Sequence, residues 1–137
     1  MNFSYFKFPL QVDSRITSDK FIYRPVIQIE IGNGGSYFLS LALLDTGSDW
    51  NFAPEDIANI INIDLSKCPS IPVSGITGAP VEARFAPVRL RIGGKKIDAI
   101  MGFGKFPTVL LGQCGFFDRI KSIQFFYPSR FDIQFKK

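Results

Sequence analysis

The chain has 137 residues, of which 46% are hydrophobic and 20% are charged, a balance that fits one globular domain and excludes a disordered tail. The net charge is +4 and there is no His, which excludes the usual zinc sites and every Ser–His or Cys–His catalytic pair. The Lys and Arg residues are scattered in short groups, whereas a nucleic-acid surface gathers them on one face, so we predict no nucleic-acid partner.

Short strands separated by glycine turns are predicted along most of the chain. Phe21–Ile31 alternates in its second half and is followed by the turn residues Gly32–Gly35, so it forms a hairpin with the next strand. A second tight turn is predicted at Gly93 and Gly94. The remaining strands are predicted at Tyr37–Leu44, Val81–Phe85, Val88–Ile92, Lys96–Met101, Thr108–Leu111 and, on either side of Tyr127–Ser129, within Ser122–Phe135.

Helix is scarce. Pro54–Ile61 is the first candidate, because Pro suits the first turn and acidic residues favour its positive end. Gly115–Ile120 is predicted to form a second short helix. No repeat or linker divides the sequence, so we predict an all-β fold, a closed barrel or a sandwich, as a single domain over residues 1–137.

The cysteines and the apolar runs bear on location. Cys68 and Cys114 allow at most one disulfide and lack the spacing of metal ligands, which is more consistent with a reducing compartment than with a disulfide scaffold. No segment approaches the roughly 20 apolar residues of a membrane span. Residues 1–10 lack the basic start and the cleavage site of a signal peptide. We therefore expect a cytoplasmic protein with no membrane partner and no metal.

The segment Leu41–Trp50 carries the most informative chemistry. It is an apolar run that ends in Asp45, and a carboxylate in that position is costly to bury alone. We expect Asp45 to lie in a turn where backbone N–H groups serve it, since Gly47 has no side chain to keep its amide away. Thr46 and Ser48 add hydroxyl groups to the same turn.

Two later segments complete a pattern. Val73–Pro80 contains two glycines and can form a hairpin, which we call the flap segment. Thr108–Phe117 is an apolar strand that ends at Gly112 and enters the second predicted helix. Each segment alone is compatible with an ordinary turn or strand end, and it is their order after Asp45 that is informative.

Taken in order, these three features resemble the retropepsin-like (retroviral-type) aspartic proteases, over about residues 21–135. The resemblance implies a closed β-barrel, the acid-protease half, with one or two short helices. It implies that Asp45 is the catalytic carboxylate, that Thr46 makes buried hydrogen bonds across the subunit interface and that Gly47 contacts the peptide substrate. It further implies active-site support from Ser48, substrate-binding roles for Asp49, Gly75, Ile76, Thr77 and Gly78, and structural roles for Leu111, Gly112 and Gln113.

The chemistry needs two carboxylates, and the chain has a single Asp-Thr-Gly. Two carboxylates a few ångströms apart cannot both ionise, so they share a proton while one of them activates water. We therefore expect a homodimer that contributes one Asp45 from each subunit. It hydrolyses peptide bonds near apolar residues and requires no cofactor.

The sequence departs from the family pattern after Gly112. Members commonly have Arg followed by Asp or Asn there, and the Arg pairs with an acidic residue at the position of Asp49; here Gln113 can offer only an uncharged hydrogen bond. Ser48 is a variant that the family uses, and its hydroxyl could donate to the Asp45 carboxylate.

Two questions stay open at the level of sequence. The alternative function is a retropepsin-like dimerisation or peptide-binding module with weak or no proteolytic activity. Residues 1–20 have no match to the family; they could be an N-terminal extension that covers the barrel, a propeptide-like strand, or a strand of the dimer interface.

Overall fold

The computed structural model describes residues 1–75 and 78–137, and it is built almost entirely of short β-strands. One α-helix, α1, spans Glu55–Ile60, and 3₁₀ turns lie at Leu65–Lys67 and Phe117–Arg119. The strands are β1 (Asn2–Ser4), β2 (Phe6–Pro9), β3 (Phe21–Arg24), β4 (Val26–Asn33), β5 (Ser36–Leu44), β6 (Asn51–Pro54), β7 (Ser70–Val73), β8 (Val81–Ile92), β9 (Lys95–Gly104), β10 (Val109–Leu111), β11 (Ile120–Phe126) and β12 (Arg130–Phe135).

Six of these strands close into a barrel. Their order is β4-β5-β10-β6-β9-β8, and β8 pairs back with β4, with Glu30 opposite Arg91. Closure pairs β8 with the second half of β4, from Glu30 to Gly32, and so covers part of the edge that an open sheet would expose. The predicted all-β fold with a closed barrel and short helices is confirmed.

The barrel is filled because its strands alternate. Ile27, Ile29 and Ile31 of β4 are at most 1% exposed, and between them lie residues that face outward. Burying one such side chain contributes about 1.5–3 kcal/mol. Phe103 and Phe116 are the largest side chains that complete this core near α1 and β10.

The order of strands around β10 decides where the site lies. β10 runs parallel to β5, with Leu111 opposite Leu44, and antiparallel to β6, with Leu110 opposite Phe52. The consecutive strands β5 and β6 are therefore separated by a strand from much later in the chain. The link between them, residues 45–50, must cross over the end of β10.

Within residues 1–9, two short strands belong to two small sheets. β1 pairs with β12 of the same chain, and β2 pairs with β3. Phe3 stacks on Phe131 with ring centroids 5.5 Å apart, and Phe3 and Tyr5 pack against the core. This stretch thus covers one side of the barrel in the single chain.

Three predictions differ from the structure. The single strand predicted over Phe21–Ile31 is divided at Pro25 into β3 and β4, which belong to different sheets. The strands predicted at Val81–Phe85 and Val88–Ile92 are one continuous strand, β8, that runs through Pro87. Pro87 is tolerated because its nitrogen points to the edge of β8 between the parts paired with β7 and with β4, where no ladder bond is lost. The second predicted helix is reduced to the 3₁₀ turn at Phe117–Arg119, since its chain continues at once into β11.

Other predictions hold closely. α1 follows Pro54 with Glu55 and Asp56 in its first turn, and the hairpin around Tyr127–Ser129 joins β11 to β12. In the described ranges, the protein has no helix that is both long enough and apolar enough to cross a membrane.

Candidate active site

Asp45 lies where β5 ends and the chain begins to cross over β10. Its backbone N–H donates to the carbonyl oxygen of Leu111 at 2.9 Å, which ties it to the end of β10. The N–H of Gly47 donates to its Oδ1 at 3.0 Å, as the glycine at that position leads one to expect. The side chain is half-buried. The carboxylate is therefore held by backbone groups while part of it still faces solvent.

The loop from residue 45 to 50 rests directly on Gly112. A Cβ atom on Gly112 would lie 2.6 Å from the carbonyl oxygen of Ser48 and would collide with the carbonyl oxygen of Trp50. Because glycine permits this approach, the next two amides, of Gln113 and Cys114, donate to the carbonyls of Ser48 and Asp49, both at 2.8 Å. Leu111, which is fully buried, anchors the same strand end in the core.

Asn51 braces the loop from below and was not singled out by its sequence. Its side chain is 0% exposed, accepts from the N–H of Gly112 at 2.8 Å and donates to the carbonyl of Ile100 at 3.0 Å. Gly115, with a φ of +108°, leaves room for it, because a Cβ there would lie 2.6 Å from its Nδ2. The amide thus joins β6, β9 and the end of β10. The only signal in the sequence is a polar residue at the start of an apolar strand.

Two expected side-chain contacts are not formed. The amide of Gln113 donates to the backbone carbonyl of Thr46 at 2.7 Å, and so braces the turn itself where a bond to Asp49 was expected. The hydroxyl of Ser48 donates to the carbonyl of Trp50 at 2.7 Å and not to Asp45. In both cases a nearby backbone carbonyl, left without a ladder partner by the crossing loop, takes the hydrogen bond.

Two polar side chains of the loop point to solvent. Thr46 and Asp49 are exposed, and within residues 1–75 and 78–137 neither the Thr46 hydroxyl nor the Asp49 carboxylate has a hydrogen bond or ion pair. They are available to groups outside the chain.

The flap segment joins β7 to β8, which form the predicted hairpin, with Val73 opposite Val81. Gly75 and Gly78 lie in the connection and are exposed, and Gly78 has a φ of +116°. The predictions for Ile76 and Thr77 concern residues outside the described ranges. No hydrogen bond between described residues joins this connection to Asp45.

An aromatic row links the loop to the base of this hairpin. Trp50 is 38% exposed and makes an edge contact with Phe85 of β8, with ring centroids 5.5 Å apart. Phe52 continues the row to Phe106 at 4.7 Å. Gly102 lies beneath it, since a Cβ there would come within 3.0 Å of both Phe52 and Phe85. The row forms an apolar wall beside residues 45–50.

In comparisons with known proteins, no family model and no curated protein matches the chain. The site must therefore be interpreted from its own groups. In the part of the chain that the structure describes, no cluster of three or more potential metal ligands occurs, and Cys68 and Cys114 are both free.

Replacement of Gly112 tests the close approach. We expect Gly112→Ala to lower the free energy of unfolding by about 1–3 kcal/mol, because the new methyl group collides with backbone that cannot rotate away. Urea unfolding measures the loss. Gly35→Ala is the matched control, since nothing lies within 4 Å of that position, and its stability should stay within about 0.5 kcal/mol of the parent. Equal stability of the two variants would show that the loop does not rest on Gly112.

Proposed function

We propose that the protein is an aspartic endopeptidase that works as a homodimer, with one Asp45 from each subunit. The observation that carries the proposal is the burial and hydrogen bonding of the Asp45 carboxylate. Its carboxylate is half-buried, accepts the N–H of Gly47 at 3.0 Å and lies in a loop that β10 and Asn51 hold from below. A carboxylate fixed by backbone yet open on one side is suited to activate water.

The chemistry follows from pairing two such carboxylates. When they lie a few ångströms apart, repulsion keeps one of them protonated. The ionised carboxylate removes a proton from water as the water attacks the scissile carbonyl, and the other gives its proton to the developing oxyanion. In this mechanism neither a metal nor a cofactor takes part, and activity should fall at both acidic and basic pH because the pair must hold one proton.

The exposed groups of the loop support a dimer. Thr46 and Asp49 face outward without partners among the described residues, although their loop is otherwise tightly hydrogen-bonded. A second subunit placed against this loop would give both side chains partners and bring the second Asp45 into the site. The proposal therefore assigns Thr46 to the subunit contact.

The aromatic row supports an extended apolar substrate. Trp50, in the same loop as Asp45, contacts Phe85 of β8, and β8 is also a strand of the hairpin that carries the flap segment. Apolar side chains of a peptide lying along this wall would be removed from water at about 25 cal/mol per Å². Two free cysteines suit a reducing environment, so we place the activity in the cytoplasm.

One observation favours the second candidate, a peptide-binding or dimerisation module with weak or no proteolysis. The amide of Gln113 donates to the carbonyl of Thr46 in the crossing loop, and Asp49 has no side-chain partner among the described residues. If the missing Gln113–Asp49 bond makes the dimer less stable, few chains have two carboxylates in one site. Such a protein would still bind peptides but would cleave them slowly or not at all.

Subunit mixing tests the proposal directly. Purified parent chain is incubated with a tenfold excess of the Asp45→Asn chain, and cleavage of an unfolded protein is followed at pH 3 to 7. We expect activity to fall about tenfold, because nearly every parent subunit is then paired with an inactive one.

The control for mixing is an equal excess of Asp19→Asn, which alters an exposed carboxylate far along the chain from the site. These chains should add activity in proportion to their amount. Sedimentation confirms that subunits exchange. Unchanged activity in the Asp45→Asn mixture, with exchange demonstrated, would contradict a shared site.

A further inference from the structure

A cavity lies away from the Asp45 loop, between β1 and β4. It is an open slot with a volume of about 550 Å³. Residues of β1 and β2 form one wall, the first half of β4 forms the other, and the turn at Gly93 and Gly94 closes one end. The slot arises because β1 continues the line of the β2–β3 hairpin but pairs with β12 instead of with β4.

The β4 wall of the slot is an unpaired strand edge. The N–H of Leu44 donates to the carbonyl of Pro25, which fixes the alternation of the β4–β5 ladder. The backbone groups of Val26 and Gln28 therefore point away from β5. Only from Glu30 onward does β8 pair with that edge, so the N–H and C=O groups of Val26 and Gln28 face the slot without strand partners.

The β1 wall is a second unpaired edge. Met1 and Ile133 exchange both backbone hydrogen bonds, and the N–H of Tyr5 donates to the carbonyl of Ser129, the residue before β12. By the same alternation, the backbone groups of Asn2 and Ser4 point away from β12, and Ser4 lines the slot. Two strand edges thus face each other across one open channel.

We propose that this slot binds an extended peptide strand, which pairs with β1 on one side and with β4 on the other. Unpaired strand edges recruit a strand by main-chain hydrogen bonding, and here two edges act on the same strand. The free edge of β4, four residues long at about 3.3 Å per residue, matches a peptide segment of about four residues.

Side chains around the slot specify the peptide. Phe3, Phe6 and Val26 line it, and Leu39, which is 58% exposed, stands at its rim. These surfaces favour apolar side chains on alternate residues of the peptide, because alternate residues of a strand share one face.

The charges at the glycine-turn end favour an acidic peptide. Arg91 lines the slot and is paired with Glu30 at 2.6 Å, while its Nε is buried and lacks a partner among the described residues. Lys96 lies opposite Arg91 in β9, and Lys95 follows the turn; in the described chain neither lysine has an ion pair. Arg91 and Glu30 offset each other within the slot. The positive charge at this end comes from the two lysines, which lie next to the slot lining, and it attracts an acidic side chain.

Binding of a defined peptide tests the slot. The probe is a fluorescein-labelled eight-residue peptide that alternates glutamate and valine, titrated by fluorescence anisotropy into the Asp45→Asn chain so that cleavage cannot interfere. We expect saturable binding and slower amide hydrogen exchange at Gln28. A peptide that alternates lysine and valine should bind at least about threefold more weakly, because rim charges contribute modestly.

Variants locate the binding. Ser4→Pro removes an N–H that faces the slot and costs no bond to β12, so it should weaken binding about fivefold. Lys96→Glu should weaken it about threefold, and the effect should shrink at high salt. Lys105→Glu changes an exposed lysine outside the slot and should have no effect.

The same peptide with alternate amides N-methylated tests the slot without changing the protein. It can donate hydrogen bonds from only one of its edges, so it should bind at least about fivefold more weakly. The proposal is overturned if the acidic peptide does not bind at about 1 mM. It is equally overturned if the peptide affinity is unchanged by both Ser4→Pro and N-methylation. A sedimentation result showing that a second copy of the chain blocks the slot would also overturn it.

Discussion

Asp45→Asn should abolish cleavage of unfolded protein while leaving the fold and the dimer intact. Removing a group that transfers protons in the transition state typically costs 10²–10⁴-fold in rate, and we expect a loss at the upper end of that range, about 10⁴-fold, because the substitution affects both halves of the site. Asparagine keeps the shape of the side chain, and its Oδ1 can still accept the N–H of Gly47. The loop should therefore keep its conformation.

The measurement is the initial rate of cleavage at matched protein concentration, with sedimentation and urea unfolding on the same samples. Asp19→Asn, which removes an exposed carboxylate elsewhere, should retain full activity. If Asp45→Asn cleaves as fast as the parent, the protease proposal fails. If neither chain cleaves while both dimerise and bind peptide, the module without proteolysis is the better account.

The sequence predicted the barrel well because its signals are local. The alternation of Ile27, Ile29 and Ile31 sets which face of β4 is buried, and the glycines after β4 and β8 set the turns. The position of Asp45 was likewise predictable, since Gly47 allows its amide to approach the carboxylate.

Contacts that depend on distant strands were not predictable. Gln113 lies 67 residues from Thr46 along the chain, and its bond to the Thr46 carbonyl exists only because β10 inserts between β5 and β6. Ser48 turned to Trp50 for the same reason: the crossing loop leaves carbonyls unpaired at short range. A single sequence shows which residues are polar, but it does not show which backbone carbonyl accepts a hydrogen bond from each of them.

The strand and helix errors have a similar origin. Pro87 suggested a break in β8, yet it pairs with Ile100 of β9, and on the other edge of β8 neither β7 nor β4 pairs at this position. The segment after Gly112 has the composition of a short helix, but Phe116 must fill the core and the chain must enter β11 within a few residues. Tertiary packing overrides local preference at both places.

Asn51 is the buried polar residue whose hydrogen bonds hold the site in place. It is the only polar side chain in the described ranges that is fully buried, and it joins the N–H of Gly112 to the carbonyl of Ile100. Both groups are in the interior, so removing the amide leaves a donor and an acceptor without partners. Each such group costs about 1–3 kcal/mol.

We expect Asn51→Ala to lower the free energy of unfolding by about 2–4 kcal/mol, measured by urea denaturation. The matched control is Asn59→Ala in α1, where the side chain is exposed and makes no hydrogen bond in the described chain, so stability should change by less than about 0.5 kcal/mol. Cleavage by Asn51→Ala should also fall at temperatures where the chain is still folded, because Gly112 no longer holds the crossing loop. A variant as stable and as active as Asn59→Ala would mean that the backbone of β10 fixes Asp45 without help from Asn51.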